Sequence, residues 1–293
     1  MLLSTCYLYD STMYLAVDIG GTKTLLASFD DKGKLLDTVK FPTPRDYDNF
    51  LADLRHYLQF LKIVNYQAAG IAAPGRIDRL HGRALAFGNL PWRDVPIQAD
   101  MERIVDAPVV VENDAKLAGL SEAKVIIKEF KKVLYVTIST GIGTGIIING
   151  VIDPSFEDSE GGHLMLEHDG KIENWETFAS GKAIFKRFGK KAQDITDESA
   201  WKIIARNIAI GLIDLIAVIQ PEVIVLGGGV GQYYAKFSDY LDTELKRYET
   251  PLVPIPPIRL AKRPEEAVIY GCFELAQQHF GHHAKPKLVK KKS

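Results

Sequence analysis

The chain has few cysteines and no long apolar run. Only two of its 293 residues are cysteines, Cys6 and Cys272, and they stand at opposite ends of the sequence. This spacing excludes a cysteine-based metal or redox motif and favours a reducing compartment, so we expect a cytoplasmic protein. No stretch is apolar for the length that a membrane-spanning helix needs, and the N-terminus lacks the features of a signal peptide. We therefore expect no membrane partner.

An excess of charge of either sign is also missing. Lysine and arginine number 36 against 37 aspartates and glutamates, which gives a formal net charge of -1. This balance argues against nucleic acid as a partner. Hydrophobic residues make up 46% and charged residues 25% of the chain, as in an ordinary globular protein. The length exceeds that of most single domains, so we expect two domains that share a cleft.

The most informative stretch is an apolar run that ends in two glycines. Residues 13–19 (MYLAVDI) predict a buried strand that contains Asp18. A small polar loop follows, made of Gly20, Gly21, Thr22 and Lys23. Adjacent glycines allow positive φ, and amides, a hydroxyl and a cation beside a carboxylate suit a phosphate group with its metal ion. The apolar pattern resumes at 24–29, so the loop joins two strands, unlike a P-loop, which opens a helix. A Gly-Gly hairpin without a ligand explains this stretch equally well on its own.

Polar groups also follow two further predicted strands of the first half. The strand at 68–73 runs into Gly75, and the strand at 107–113 ends in Asn113, with Asp114 at the start of a predicted helix. Ligands of α/β proteins bind at the carboxyl ends of strands. A carboxylate placed between a buried strand and a helix would cost stability if it were buried without a partner, which points to a function for Asp114. The alternative role, a helix N-cap, is common for aspartate.

The second half repeats the opening arrangement. A predicted strand at 132–138 leads into the loop 139–145 (STGIGTG) and then a strand at 146–148. Two such hairpins suggest a duplicated domain, each copy presenting a phosphate loop. A later strand ends in the glycine turn 227–231, before a helix predicted from about 233 to 248. A G-x-G-x-x-G motif would need glycine where Gln232 stands, so a nucleoside fits this turn better than a dinucleotide.

The segment 153–181 is polar and is predicted to be irregular. It carries Glu160, His163, His168 and Glu176. For His163, a structural and a functional role are equally supported, whereas we expect His168 to be a surface or structural residue. A zinc site would need several closely spaced ligands, preferably cysteines, and this segment has none.

Taken together, these stretches resemble the motifs of the ROK family (repressor, open reading frame, kinase), a branch of the actin, Hsp70 and hexokinase ATPase superfamily. The resemblance extends from residue 13 to about residue 280. Each motif is weak alone, but their order and spacing are highly specific. They are DIGGTK at 18–23, APGRID at 73–78, END at 112–114, STGIGTG at 139–145, EGGH at 160–163, ETFASG at 176–181 and LGGGV at 226–230.

The resemblance implies an α/β fold with two ribonuclease-H-like (actin-like ATPase) domains flanking a central cleft. We expect the N-terminal domain to span 13–115, joined by the C-terminal helix 266–280. The larger C-terminal domain would span 116–265. Residues 1–12 would then be an N-terminal extension and residues 281–293 a basic tail. A homodimer is expected on the same basis.

The resemblance also implies a site for ATP and a sugar, with Asp114 as the catalytic base and Asp18 helping to hold Mg²⁺ through water. Nucleotide contacts would come from Gly20, Gly21, Thr22, Lys23, Thr140, Gly141, Gly143, Gly228 and Gly229. Sugar contacts would come from Gly75, Asn89, Asn113, Asp114, Glu160, His163 and Glu176. Most family members carry a cysteine-rich zinc loop after the motif's histidine. Residues 164–175 are shorter and have no cysteine, so we predict no zinc, and the role of His163 is in question.

These implications favour an ATP-dependent hexose kinase of carbohydrate metabolism, with the 6-hydroxyl of glucose as the leading acceptor. Fructose, mannose and N-acetylmannosamine are alternative acceptors, and polyphosphate is an alternative donor. A sugar-sensing regulator without catalysis is a competing hypothesis, although the intact END triplet disfavours it. An actin-like filament or chaperone ATPase is another, disfavoured by the EGGH and END motifs.

Overall fold

The computed structural model describes residues 12–63, 65–263 and 266–281. Apart from residues 12 and 281, the expected N-terminal extension and basic tail lie outside these described residues. The chain divides into two compact units. Of the described residues, unit 1 comprises those up to Asp114 together with those from Ile269 onward, and unit 2 comprises those from Ala115 to Val268.

The two units are built from alternating strands and helices. The strands are β1 (Met13–Ile19), β2 (Lys23–Asp30), β3 (Leu35–Pro42), β4 (Ala68–Ala73), β5 (Gly75–Asp78), β6 (Arg83–Phe87), β7 (Arg93–Val95), β8 (Val109–Asn113), β9 (Lys132–Ile138), β10 (Ile142–Ile148), β11 (Val151–Ile152), β12 (Met165–His168), β13 (Lys171–Asn174), β14 (Val223–Gly227) and β15 (Ile258–Leu260). The helices are α1 (Tyr47–Leu58), α2 (Ile97–Val105), α3 (Asp114–Ile126), α4 (Trp175–Ala179), α5 (Gly181–Phe188), α6 (Glu198–Ile219), α7 (Gly228–Gly231), α8 (Ser238–Lys246) and α9 (Ala267–Phe280). Among the described residues, no helix is long and apolar enough to cross a membrane.

Unit 1 is organised around a five-stranded sheet of order β3-β2-β1-β4-β8. The first three strands are antiparallel, and β4 and β8 run parallel to β1. Both faces of the central strands are covered, which explains why β1 and β4 are apolar almost throughout. On one face Phe29 stacks on Phe273 of α9, with the ring centroids 5.2 Å apart. A β-carbon at Gly70 would lie 2.0 Å from the Cys272 carbonyl oxygen, so β4 and α9 pack backbone to backbone.

Unit 2 contains a second five-stranded sheet with the same plan. Its order is β11-β10-β9-β14-β15, with β9 antiparallel to β10 and parallel to β14. The long helix α6 buries Ile204, Ile208 and Leu212 in the core of this unit. Each sheet therefore has an antiparallel hairpin followed by two parallel strands. The expected α/β fold and its duplicated arrangement are confirmed.

Two local predictions were wrong. The segment 153–181 is not irregular throughout, because β12 and β13 form a hairpin in which Asp169 and Gly170 take the positive φ values of its two-residue turn. The helix predicted from 233 to 248 is interrupted. Phe237 leaves the helical conformation with its ring fully buried and stacked on Trp201, so α8 begins only at Ser238.

Candidate functional site

In unit 1, the residues expected to bind ligands lie where three parallel strands end. The register pairs Asp18 of β1 with Ala72 of β4, and Ala73 with Asn113 of β8. Because parallel strands end at the same edge of a sheet, the structure brings Asp18, Gly75, Asn113 and Asp114 to one edge. This edge is where ligands of such sheets bind.

The loop after β1 is held tightly by its own backbone. The Gly20 amide donates to the Lys23 carbonyl at 3.0 Å, and the Thr43 hydroxyl donates to the Gly20 carbonyl at 2.8 Å. A β-carbon at Gly21 would lie 2.7 Å from the Asn89 β-carbon, so Asn89 lies beside the loop. Thr22 and Lys23 are exposed. The loop is therefore fixed in shape while its hydroxyl and cation face solvent.

Asp18 is a carboxylate in an unfavourable electrostatic environment. Burial and, to a smaller extent, the charge of Asp114 raise its pKa, whereas Lys40 acts in the opposite direction, and the result is a pKa of about 7. A cation beside Asp18 would relieve this penalty. Mg²⁺ is commonly bound by one or two carboxylates together with water and phosphate oxygens, so these residues fit a magnesium ion.

The END triplet is held by a network of charge-assisted hydrogen bonds. Arg79 donates from Nε to Glu112 Oε2 at 2.8 Å and from Nη2 to Oε1 at 2.7 Å. Glu112, which is 5% exposed, also accepts from the Asn113 amide at 2.6 Å. The Asn113 side chain donates to the Gly75 carbonyl at 3.1 Å. Asp114 then begins α3, where the helix dipole favours a negative charge.

In unit 2, the turn between β9 and β10 is shorter than the sequence suggested. The strand β10 begins at Ile142, so Gly143 lies within the strand and packs against α3, where a β-carbon would be 2.6 Å from the Ala115 β-carbon. Thr140 is exposed and Gly141 is partly buried. The apolar residues of β10 pair along β9 in register, which extends the strand into the stretch that had been assigned to the loop.

Glu176 lies against this same turn. Its Oε2 accepts from the Ile142 amide at 3.2 Å, and a β-carbon at Gly141 would lie 2.6 Å from that oxygen. The neighbouring Trp175 anchors α4, because its ring is fully buried and its Nε1 donates to the Asn207 carbonyl at 3.0 Å. A residue expected to bind sugar and a turn expected to bind phosphate are therefore in direct contact.

Glu160 precedes a short 3-10 turn, Gly161–His163, and His163 ends it; both side chains are exposed. The Gly161 amide donates to the buried Thr144 hydroxyl at 3.0 Å, which ties the turn to β10. Because a β-carbon at Gly162 would lie 2.1 Å from the Ile142 carbonyl oxygen, only glycine fits there. The turn is rigid, and its two polar side chains face solvent.

His168 has a structural role, as one of the alternatives expected. Its ring is buried and stacks on Phe178, with the centroids 4.0 Å apart. Nδ1 lies 3.0 Å from a Glu173 oxygen, and Nε2 lies 3.3 Å from Asn207 Oδ1. These contacts attach the hairpin of β12 and β13 to α6. Across the described residues, His, Cys, Asp and Glu side chains form no group of three or more that could hold a metal ion.

The glycine turn after β14 forms the short helix α7. Gly228 has a φ of +79°, and a β-carbon there would lie 2.5 Å from the Ile138 carbonyl oxygen, so the position requires glycine. Gly229 is exposed, and a β-carbon there would meet nothing within 4 Å. The turn thus offers an open stretch of backbone at the end of a buried strand.

A family model described as the ROK family matches residues 14–279. The chain belongs to the ROK family. A putative fructokinase of Bacillus subtilis is 31% identical over 239 residues, covering 76% of this chain and 79% of that protein. A glucokinase of Streptomyces coelicolor is 28% identical over 312 residues, covering 90% and 97%. The crystal structure of a ROK family glucokinase from Streptomyces griseus in complex with glucose and AMPPNP superposes with a TM-score of 0.74 at 25% identity, covering 92% and 99%.

Two residues of this ROK-family chain gain importance only from the structure. Arg79 binds Glu112 of the END triplet, and Lys116 reaches from α3 to the residues just before the EGGH turn. Arg79 directly follows the APGRID motif, and Lys116 is the second residue after END. Their proximity to the motifs was the available signal. Their partners are distant in sequence, and no local pattern indicates them.

Proposed function

We propose that this protein transfers the γ-phosphate of ATP to the 6-hydroxyl of glucose, with Asp114 as the general base. The observation that carries the proposal is the placement of Asp114. It lies at the same sheet edge as Asp18, closely enough for its charge to raise the pKa of Asp18, and next to the ordered side chain of Asn113. A carboxylate held at such an edge suits removal of a proton from an acceptor hydroxyl.

The class of enzyme is inferred from the names of proteins similar to this chain. The protein is a hexose kinase of the ROK family, since curated relatives that span most of its length are named glucokinase and fructokinase. ATP as the nucleotide is supported by the neighbouring glucokinase structure in complex with glucose and AMPPNP. The relatives differ in the sugar that their names give. Glucose is therefore our proposal within that class, with fructose, mannose and N-acetylmannosamine as the other acceptors to be tested.

The contacts with the donor nucleotide are assigned to three turns. The turn Gly20–Lys23 and the turn containing Thr140 and Gly141 would bind phosphate oxygens, and Gly228 with Gly229 would lie against the adenosine. Phosphoryl transfer needs these donors because the transferred group carries its charge on three oxygens. When bound through Asp18, Mg²⁺ would neutralise part of that charge. We assign no direct phosphate contact to Gly143, since it is packed against α3.

The sugar would be held by a small set of polar groups. These are Gly75, Asn89, Asn113, Glu160, His163 and Glu176. Carboxylates suit a polyol because each accepts more than one hydroxyl hydrogen bond. Asn113 would orient the acceptor hydroxyl, since its side-chain amide is already held by the Gly75 carbonyl. Asp114 would then take the proton from that hydroxyl. Excluding water around the acceptor would limit wasteful ATP hydrolysis.

Four further proposals accompany this function. The two units would be the two ribonuclease-H-like domains of the family fold, and the protein would act in the cytoplasm as a homodimer. It would contain no structural zinc, because the hairpin of β12 and β13 is fixed through His168 instead. One tightly bound equivalent of zinc in the purified protein would contradict the zinc proposal. Sedimentation as a monomer at micromolar concentration would contradict the homodimer.

The test is ADP release with Mg-ATP against glucose, fructose, mannose, N-acetylmannosamine and no sugar. We expect sugar-dependent turnover that falls by a factor of about 10² or more in Asp114→Asn, because a positioned base contributes that much. The matched control is Asp106→Asn, at the exposed residue that follows α2, where asparagine also tolerates the positive φ. Sugar-induced thermal shifts should persist in Asp114→Asn.

The outcomes separate the competing functions. Near-normal turnover in Asp114→Asn would refute the role given to Asp114. Sugar-induced thermal shifts without turnover, with either ATP or polyphosphate as donor, would indicate a sugar-binding regulator. ATP-dependent sedimentation of polymers would instead support an actin-like filament.

A further inference from the structure

Lys116 is a lysine with almost no exposure to solvent. It lies in the first turn of α3, is 1% exposed, and is among the largest fully buried side chains of the described residues. Its Nζ donates to the Ser159 carbonyl at 3.0 Å and lies 3.8 Å from Glu160 Oε1. The Glu160 side chain, by contrast, is 46% exposed. A buried cation therefore lies beside a carboxylate that is about half exposed.

Burying the Lys116 ammonium group lowers the stability of the fold unless its charge is compensated by a partner. Lysine is almost never fully buried without a partner, and a cation in the first turn of a helix opposes the helix dipole. Methionine has a similar volume and would fill the same space without the cost of removing an ammonium group from water. The requirement therefore concerns the ammonium group, whose contacts include the Ser159 carbonyl and the Glu160 carboxylate.

The other side of Glu160 is already fixed. The Gly161 amide is bound to the Thr144 hydroxyl, and Gly162 packs against the Ile142 carbonyl without room for a side chain. The backbone after Glu160 therefore cannot shift far. The backbone before Glu160 and the orientation of its carboxylate are not fixed by these contacts. Lys116 contacts both, through the Ser159 carbonyl and Glu160 Oε1.

We propose that Lys116 is a positioning residue that orients the Glu160 carboxylate toward the sugar and so strengthens hexose binding. The ammonium engages Oε1, which leaves the exposed part of the carboxylate for the hydroxyls of a polyol. The inference rests on the proposed sugar-kinase function and on the sugar contact assigned to Glu160. It adds a residue that does not itself touch the sugar.

The test is steady-state kinetics of the full chain with its accepted hexose, using Lys116→Met, Glu160→Gln and the double variant. Lys128→Met, at an exposed lysine just beyond the end of α3, is the matched control. We expect Lys116→Met to raise the KM for the hexose about tenfold or more. This is the range for losing one hydrogen bond between a sugar hydroxyl and the charged Glu160 carboxylate. The KM for ATP should not change, and kcat should change far less than the hexose KM.

The double variant distinguishes positioning from a general effect on folding. If Lys116 acts through Glu160, the double variant should have nearly the hexose KM of Glu160→Gln alone. Multiplying effects, or an unchanged hexose KM in Lys116→Met, would overturn the inference. If Lys116→Met does not fold, Lys116→Gln replaces it, because glutamine keeps a donor for the Ser159 carbonyl while removing the charge.

Failure of the inference and failure of the function are distinguishable. Wild-type protein that turns over none of the hexoses would overturn the proposed function, and the inference with it. Wild-type turnover together with an unaffected Lys116→Met variant would overturn the inference alone.

Discussion

Removing Arg79 should destabilise the protein and slow its chemistry, because this side chain neutralises a buried carboxylate. Glu112 is 5% exposed and accepts two hydrogen bonds from the Arg79 guanidinium, at 2.8 and 2.7 Å. Breaking a buried ion pair by removing one partner costs about 3–5 kcal/mol. The Arg79 side chain is 21% exposed, so water can replace part of what is lost. We therefore expect Arg79→Met to lower the free energy of unfolding by about 2–4 kcal/mol.

The pair predicts a specific pattern in a double-mutant cycle. Glu112→Gln alone removes the negative charge that faces the partly buried Arg79 guanidinium, whereas the double variant Arg79→Met with Glu112→Gln removes both charges of the pair. The double variant should therefore be less destabilised than the sum of the two single variants, by about 1 kcal/mol or more. Equilibrium urea unfolding followed by circular dichroism measures these differences.

The same variant should lose activity through the END triplet. The Asn113 backbone amide donates to the Glu112 carboxylate that Arg79 binds. Displacement of Glu112 should therefore move Asn113 and Asp114, which under the proposed function would orient and deprotonate the acceptor. A shift of about 1 Å in such groups costs up to about 10² in rate. Arg83→Met is the control, since Arg83 pairs with Asp94 at the surface and should leave both stability and turnover near wild type. Additive stability effects, or full activity in Arg79→Met, would refute this reasoning.

Three other predictions follow from contacts in the individual units. The Asp18 pKa is raised from 3.8 to about 7, so the folded protein binds this proton more tightly than the unfolded chain and loses stability as pH rises through that window. Without Mg²⁺, the free energy of unfolding of Asp18→Asn minus that of wild type should therefore grow from near zero at pH 4 to about 4 kcal/mol at pH 8, and a flat difference would contradict the assignment. Gly211→Ala should cost about 3 kcal/mol, since its β-carbon would lie 2.2 Å from the Trp175 ring, and an unchanged melting temperature would show that the ring can move aside. Burial raises the pKa of the Cys272 thiol well above its ordinary value, so in a Cys6→Ser variant a thiol reagent should react only after unfolding; rapid reaction of the native protein would contradict its burial.

The strands of both sheets could be predicted from sequence because their apolar patterns are strong. Runs such as those of β1 and β9 are buried on both faces, so nearly every residue is apolar and the signal is continuous. The glycine turns that follow were also predictable, since close backbone approach leaves few alternatives to glycine. The family motifs lie mostly at these strand ends.

The hairpin of β12 and β13 was missed because its strands are only four residues long and carry exposed hydrophobic side chains. Met165 is 61% exposed and Ile172 is 65% exposed, so apolar and polar residues do not alternate between the buried and exposed faces of these strands. A local signal was nevertheless present, because Asp169-Gly170 is a favoured two-residue hairpin turn. The partners of Arg79 and Lys116 gave no such signal. They depend on tertiary contacts across 33 and 43 positions of sequence.

The contact between Glu176 and the Ile142 amide has a thermodynamic consequence. Under the proposed roles, the Glu176 carboxylate binds the sugar and also accepts a hydrogen bond from the turn that binds a phosphate. Any reorientation of this carboxylate by one substrate changes the hydrogen bonding available to the other. Binding free energies coupled in this way are reciprocal, so each substrate must alter the affinity for the other by the same factor. The enzyme would then bind its two substrates interdependently, with donor affinity that reports whether an acceptor is in place.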